Sequence, residues 1–397
     1  TDSAISGLMI RNGQRPGASV DGAGLVNLGA LAVSDCTFAT NVATGFAGTQ
    51  PGQAGGSARG GAVFNGGTMT LNRCSFSSNS VHGGNGANNS AQFGSGGNGG
   101  VGMGGAIFND TNATLFVNNC SFFNNTGTGG NGGNDPNFGG GNGGAGSGGI
   151  FSQGIMTLIA CTLNGNTAMG GNGGLGNNSF NNGRHGSSCG GLNAAAGTNL
   201  VGNTIVMGNI GITGPDALGT FTSQGWNLIG KTNGSAGFAA MSDQIGTIVT
   251  PLDARLAPFG NYGGPNNTFL LFSDSPAIDK GKSFSLVTDQ RNLPRLYDDP
   301  AIANASGGDG TDIGAVEMQP NYTGPLKVLS ITRVGATARV TLQGISFANY
   351  QLQKNEILGT PFANFGVPQI ADSIGQTEFT DFGPLPATRF YRAVQTP

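Results

Sequence analysis

A segment of about twenty residues recurs along the first half of the chain, and this repeat constrains the fold more than any other feature. Each copy carries a cysteine near its end and closes on an asparagine. The copies read GAGLVNLGALAVSDCTFATN, GGAVFNGGTMTLNRCSFSSN, GGAIFNDTNATLFVNNCSFFNN and SGGIFSQGIMTLIACTLNGN, and a degenerate fifth copy ends at Asn209. Because the cysteines are 38, 46 and 41 residues apart, a fixed unit must alternate with insertions of variable length.

Each copy contains three short stretches in which apolar and polar residues alternate, as in a β-strand with one buried face. We therefore predict an all-β fold, a right-handed parallel β-helix in which each copy forms one three-sided coil and coils stack about 4.8 Å apart. Side chains at equivalent positions then form rows inside the helix. The predicted apolar rows are Leu25, Val63, Ile107, Ile150 and Leu192; Leu31, Met69, Leu115 and Met156; Val33, Leu71, Val117 and Leu158; and Phe38, Phe76, Phe122 and Leu163.

The asparagines that close the copies predict a polar row. Its members are Asn41, Asn79, Asn125 and Asn166. Asparagine tolerates tight turns and the left-handed backbone region, and stacked amides can bond along the helix axis. We interpret the row as structural, with a ligand-binding row as the alternative.

The cysteines predict a row of free thiols. Its members are Cys36, Cys74, Cys120 and Cys161. Stacked neighbours have parallel Cβ vectors, which suit a disulfide poorly, and four thiols in a row do not form a tetrahedral metal site. Cys189, before the fifth copy, has no evident partner.

The insertions between coils are rich in glycine and asparagine, and the chain has 76 glycines in 397 residues. Examples are the stretches that begin at His82, Gly127 and Met169, in which GGNGG recurs. All three leave the same corner of successive coils, so they must lie on one side of the helix. Two interpretations remain open: flexible low-complexity loops, or an ordered layer of polyproline-II-like strands in which glycine permits close backbone approach.

Charge excludes several classes of function. The net charge of −3 is unlike that of a nucleic-acid-binding protein, and no apolar run is long enough to span a membrane. No lysine precedes Lys231 and no glutamate precedes Glu317, so the repeats contain few groups for acid–base catalysis. The opening ISGLMIRNG reads as part of a coil, from which we expect that further chain preceded Thr1.

The copies resemble a known family of repeats. GGAVFN with FSSN, and GGAIFN with FFNN, resemble the repeats of chlamydial polymorphic outer-membrane proteins, which are adhesin-like surface β-helices. ISGLMIRNG and LAVSDCTF resemble the wider group of β-helix proteins that environmental bacteria secrete. The resemblance implies an extracellular or cell-surface location.

The later part of the chain resembles two further modules. NYGGPNNTFLL from Asn261, SPAIDKG from Ser275, DQRNLPR from Asp289 and GDGTDIGAVE from Gly308 resemble the choice-of-anchor region that ends such helices. YQLQ from Tyr350 and RFYR from Arg389 resemble the C-terminal β-sandwich of verrucomicrobial and planctomycete secreted proteins. We predict β-helix coils with insertions over 1–222, final coils and a cap over 223–318, a linker over 319–325 and a β-sandwich over 326–397.

Acidic residues cluster in the predicted cap. The cluster comprises Asp274, Asp279, Asp289, Asp298, Asp299, Asp309 and Asp312, with Lys280, Lys282, Arg291 and Arg295 among them. Three interpretations remain open: a salt-bridged cap, a calcium site that uses Asp309 and Asp312, and a catalytic site. GDGTD supplies only part of the six to eight oxygens that calcium prefers.

From these observations we predict a non-enzymatic extracellular structural or adhesive protein without catalytic residues. A self-assembling surface fibre with head-to-tail contacts is one version, and surface glycans are candidate partners. We predict no nucleic-acid partner and no cofactor other than the calcium just considered. The alternative function is a carbohydrate-binding or polysaccharide-degrading β-helix protein.

Overall fold

A computed structural model describes residues 3–91, 94–319, 326–335, 337–344, 349–357, 361–371, 376–382, 386 and 389–396. The chain divides into two compact units, Thr1–Glu317 and Met318–Pro397. Apart from residue 319, the predicted linker lies outside the described residues.

The first unit is a parallel β-helix with three sides. Side 1 consists of Leu25–Asn27, Val63–Asn65, Ile107–Asn109, Ile150–Ser152, Leu192–Ala194, Ala217–Thr220 and Ser235–Ala236. Side 2 consists of Ser3–Ser6, Ala30–Ser34, Thr68–Asn72, Thr114–Asn118, Ile155–Ile159, Asn199–Gly202 and Thr222–Gly225. Side 3 consists of Met9–Arg11, Thr37–Ala39, Ser75–Ser77, Ser121–Phe123, Thr162–Asn164, Ile205–Met207, Leu228–Ile229 and Gln244–Ile245. The predicted fold class is therefore confirmed.

The predicted apolar rows are confirmed by the strand register. Val63 pairs with Leu25 and Ile107 on side 1, and Phe76 pairs with Phe38 and Phe122 on side 3. The phenylalanine rings stack with centroids 4.8 Å and 4.7 Å apart, and all three are fully buried. Each buried apolar side chain contributes about 1.5–3 kcal/mol, so these rows supply the core of a glycine-rich chain.

The corners of each coil are turned by single residues in the left-handed region. The corner before each cysteine is turned by Asp35, Arg73, Asn119 and Ala160. The corner before each row asparagine is turned by Thr40, Ser78, Asn124 and Gly165. The sequence assigned left-handed tolerance to the asparagines of the row themselves, whereas the preceding residue takes that conformation, which leaves the asparagine side chain pointing into the helix.

The insertions leave and re-enter the coils through two additional parallel sheets. The outgoing sheet consists of Gln14–Gly17, Val42–Gly45, Ser80–His82, Thr126–Thr128 and Thr167–Met169. The returning sheet consists of Ser19–Asp21, Ser57–Arg59, Gly102–Met103, Gly146–Ser147 and Ser188–Cys189. A small apolar cluster that includes Val20, Ala43, Ala58 and Val81 lies between the two sheets. A 3-10 helix, Ser179–Asn181, lies in the last insertion.

After the last coil, residues 253–317 form a strap along the side of the helix. Asn266 donates to the carbonyl of Arg73 at 2.8 Å, Asn119 donates to the carbonyl of Thr288 at 2.9 Å, and Asn203 donates to the carbonyl of Asp312 at 2.9 Å. Arg73, Asn119 and Asn203 each turn the left-handed corner between side 2 and side 3 of their coil, so the contacts follow that corner along the helix. The sequence predicts final coils and a cap over 223–318; from residue 253 onward the chain lies instead along the flank, because side-chain amides of the strap and of that corner bond to each other's backbone carbonyls.

The second unit is a small antiparallel β-sandwich. One sheet consists of Lys327–Val334, Thr337–Gln343 and Gln376–Asp381, and the other of Ala363–Ile370, Asn349–Asn355 and Phe390–Thr396. Its described core includes Val340, Leu342, Tyr350, Leu352 and Phe379. Within the part of the chain that the structure describes, no helix has the length and hydrophobicity to cross a bilayer.

Candidate functional site: polar rows and the Gly-rich slab

The asparagine row inside the helix is a continuous chain of hydrogen bonds. The Nδ2 of Asn79 donates to the Oδ1 of Asn125 at 2.9 Å, and the Nδ2 of Asn125 donates to the Oδ1 of Asn166 at 2.8 Å. Each Oδ1 also accepts the backbone N–H of the asparagine in the preceding coil. All these side chains are fully buried, so their amides serve the neighbouring coils.

The row ends on a buried carboxylate. Asn209 donates to the Oδ1 of Asp216 through its backbone N–H at 2.8 Å and through Nδ2 at 2.9 Å. The Oδ2 of Asp216 is buried and has no hydrogen-bond partner among the described residues. Burial raises the pKa of Asp216 to about 6, although the two donors from Asn209 act in the opposite direction.

Sequence reasoning missed a second asparagine row on side 1. The Nδ2 of Asn27 donates to the Oδ1 of Asn65 at 2.7 Å, and the Nδ2 of Asn65 donates to the Oδ1 of Asn109 at 2.9 Å. Ser152 continues the row. The sequence signal for this row was a polar residue two places after each of the first four members of the apolar row that begins at Leu25.

The five cysteines are free and buried. The Sγ of Cys120 accepts the backbone N–H of Cys74 at 3.2 Å, so this sulfur takes part in the hydrogen bonding between coils. Burial raises the pKa of the Cys161 thiol to about 12. Because the thiolate is the nucleophilic form, Cys161 is poorly suited to chemistry near neutral pH.

The insertions form an ordered structure that we call the Gly-rich slab, residues 46–56, 83–91, 94–100, 129–145 and 170–187. Each insertion runs out as an outgoing arm and comes back as a returning arm. In the outgoing arm 129–135, the N–H of Gly130 donates to the carbonyl of Gly100, and the N–H of Gly132 donates to the carbonyl of Asn172. Between them, the N–H of Asn131 donates to the Oδ1 of Asn85 at 2.8 Å.

The returning arms follow the same rule. Gly141 donates to Gly133 in the facing arm, and Gly143 donates to Arg184 in the next returning arm. Asn142 donates to the Oδ1 of Asn98 at 2.8 Å. The pattern repeats every three residues, the period of polyproline II, and it explains why GGN recurs.

Glycine is required in the slab by the close approach of its strands. A Cβ on Gly130 would lie 1.9 Å from the carbonyl oxygen of Gly84, and one on Gly132 would lie 1.9 Å from that of Gly141. No real Cβ tolerates such a contact with backbone. Of the two interpretations left open by the sequence, the structure therefore supports the ordered layer.

The asparagines of the slab face solvent with fixed orientation. Asn85, Asn88, Asn131 and Asn134 are exposed, and each Oδ1 accepts a backbone N–H from the following coil at 2.8 Å. Since an N–H can bond only to the amide oxygen, the Nδ2 group must point outward. No described residue accepts a hydrogen bond from these Nδ2 atoms.

The acidic cluster of the strap contains buried ion pairs. The Nη2 of Arg291 lies 2.8 Å from the Oδ2 of Asp289, and the Nη1 of Arg295 lies 3.8 Å from the Oε2 of Glu317; all four side chains are fully buried. Burial, together with the charge of Asp312, raises the pKa of Glu317. Asp274 lies apart, in an exposed pair with Arg255.

The two residues predicted for calcium bind different protein groups. The carboxylate of Asp309 accepts hydrogen bonds from Ser283 and Thr311, which lower its pKa even though its partial burial alone would raise it. The Oδ1 of Asp312 accepts the N–H of Asp279 at 2.9 Å. Within the described ranges, no group of three or more His, Cys, Asp or Glu side chains is arranged to hold a metal ion. The calcium site stays a prediction.

No protein-family model and no curated protein matches this chain. The resemblances to surface β-helix proteins therefore remain expectations from the motifs quoted above. The arrangement itself shows what its groups do: the buried amides join coils, and the slab presents an exposed amide face.

Proposed function

We propose that this chain is a non-enzymatic structural and adhesive protein of the cell exterior. One observation carries the proposal: the asparagines that recur inside the helix, and two ion pairs on its surface, join neighbouring coils to each other. The interior asparagines bond one another, and on the surface Arg59 pairs with Asp21 and Arg73 with Asp35, each at 2.7 Å. The slab adds an exposed, ordered surface that other molecules can contact.

The proposal is tested by comparing adhesion with catalysis. Purified chain, labelled and applied to bacterial or host cell surfaces, should be retained. The same preparation should release no unsaturated sugar products from acidic polysaccharides. Sustained release of such products would replace the proposal with the alternative, a polysaccharide-degrading β-helix enzyme.

A further inference from the structure

The slab presents a regular set of hydrogen-bond donors to solvent. Asn85 and Asn131 stack in successive coils, as do Asn88 and Asn134, so the four amides form a two-by-two grid. Neighbours are about 4.8 Å apart along the helix axis and about 9 Å apart along an arm. We call these four residues the amide grid.

The chemistry of the amide grid is one-sided. Each amide oxygen already accepts one backbone N–H of the slab, so the group left with all of its hydrogen-bonding capacity is the NH2 group with its two donors. An ordinary exposed asparagine offers both a donor and an acceptor. The grid therefore fits a ligand with an excess of acceptors, spaced along an extended chain.

Over its described residues, the slab has few ionisable side chains and exposes no carboxylate that would repel such a ligand; its Arg184 belongs to the returning-arm row of Asn98 and Asn142, apart from the grid. Its ionisable side chains in the described ranges are Asp135, Arg184 and His185, of which Asp135 is fully buried while the two basic residues are exposed. An anionic ligand that approaches the described part of the slab therefore meets no exposed carboxylate. A second copy is a poor occupant, because two identical grids would place donors against donors.

We propose that the amide grid binds an extended polysaccharide that carries carboxylate groups. The oxygen atoms of the sugar chain and its carboxylates accept hydrogen bonds from the Nδ2 groups, and the ordered slab holds the donors in place before binding. This inference rests on the proposed adhesive function and names its partner. Preorganised donors gain affinity because little freedom is lost when the ligand binds.

The grid permits a substitution that separates binding from structure. Asn85→Asp and Asn134→Asp keep an oxygen for the N–H of the next coil but remove the outward NH2 donors. The two positions lie diagonally across the grid, in different coils and in different stacked pairs, which limits repulsion between the new charges. Asn261→Asp is the matched control, since the Oδ1 of Asn261 also accepts a backbone N–H, from Gly263 at 3.0 Å, at an exposed site in the strap.

The experiment is a calorimetric titration of the full chain with polygalacturonate, with neutral dextran as the comparison. Wild type should bind polygalacturonate more tightly than dextran. The double variant should lose at least about tenfold in affinity, whereas Asn261→Asp should match wild type. Titration at about 0.15 M and 1 M salt separates lost donors from added charge, because repulsion is screened at high salt.

Three outcomes overturn the inference. The first is unchanged affinity in the double variant, and the second is a loss that disappears at 1 M salt. The third is a wild-type dimer, seen by light scattering, that the double variant abolishes, which would make a second copy the occupant. If wild type adheres to cell surfaces but binds no polysaccharide, the inference fails and the proposed function stands; loss of both would remove the two together.

Discussion

The coil and the Gly-rich slab stack with the same repeat but are held together by opposite means. In the coil, large side chains such as Phe76 and Phe122 fill the interior and the backbone lies around them. In the slab, the interior is backbone, and Gly130 leaves less than 2 Å between its missing Cβ and Gly84. Both regions stack because equivalent residues recur in each repeat. The coil packs apolar side chains against each other, whereas the slab packs backbone against backbone.

The largest expected effect is the loss of an aromatic ring from the coil. Phe76→Ala removes a fully buried ring that stacks on both sides, and should lower the free energy of unfolding by about 3–5 kcal/mol. Urea denaturation followed by circular dichroism measures it. Phe180→Ala, where the ring is 97% exposed, is the control and should change little. Equal effects at the two positions would contradict the account of the coil core.

Acid should stabilise the first unit. The pKa of Asp216 is raised from 3.8 to about 6 in the folded state, so the folded chain binds the proton more tightly than the unfolded chain does. Stability should therefore rise as pH falls from above 6 towards 4, by about 3 kcal/mol at most from this residue.

The check on Asp216 is a pair of urea unfolding curves near pH 7 and pH 4.5. Asp216→Asn keeps the acceptor for Asn209 and should flatten the difference between the curves. Asp279 and Glu317, whose pKa values are also raised, should retain a part of it. Greater stability at pH 7 than at pH 4.5 in wild type would refute the assignment.

A methyl group added inside the slab should loosen the slab and spare the coil. Gly130→Ala forces backbone strands apart and should cost about 1–3 kcal/mol locally. Hydrogen exchange should speed up at Gly130–Gly132 positions while amides of side 1 keep their protection. Gly29→Ala, which meets no atom within 4 Å, is the control. Simultaneous loss of protection in coil and slab would show that the two regions unfold as one.

The smallest effect compares one residue type in the two regions. Asn125→Ala leaves buried donors of the interior row unpaired and should cost about 1–3 kcal/mol, whereas Asn131→Ala frees an N–H that water can reach and should cost about 0.5–1.5 kcal/mol. Urea unfolding of the two variants measures the ratio. A larger cost at Asn131 would mean that the slab, rather than the coil, limits stability.

The coil could be predicted from the sequence because the side chains that form its core recur in every copy of the repeat. Phe38, Phe76 and Phe122 identify a row on their own, and their register followed directly. The second asparagine row was equally visible and was overlooked, since Asn27, Asn65 and Asn109 stand two places after residues already assigned.

The slab and the strap were harder for a physical reason. Glycine has no side chain to reveal a buried face, so order and disorder read alike until the backbone bonds are known. The strap depends on bonds such as that from Asn266 to Arg73, across 193 residues and outside any repeat. The bond from the N–H of Asn131 to the Oδ1 of Asn85 lies in a glycine-rich segment and joins residues far apart in the chain. The sequence therefore did not reveal it, and for the same reason it did not reveal the amide grid.

The three-residue repeat of the slab limits which insertions and deletions its arms tolerate. An arm can grow or shrink at its tip by a whole GGN unit and keep every remaining strand in step with its neighbours, because the residues that remain stay opposite the same partners in the other arms. A gain of one or two residues instead puts asparagine where glycine must pass. Gene variants of this protein should therefore alter the reach of the slab in blocks of nine bases while the coils stay as they are.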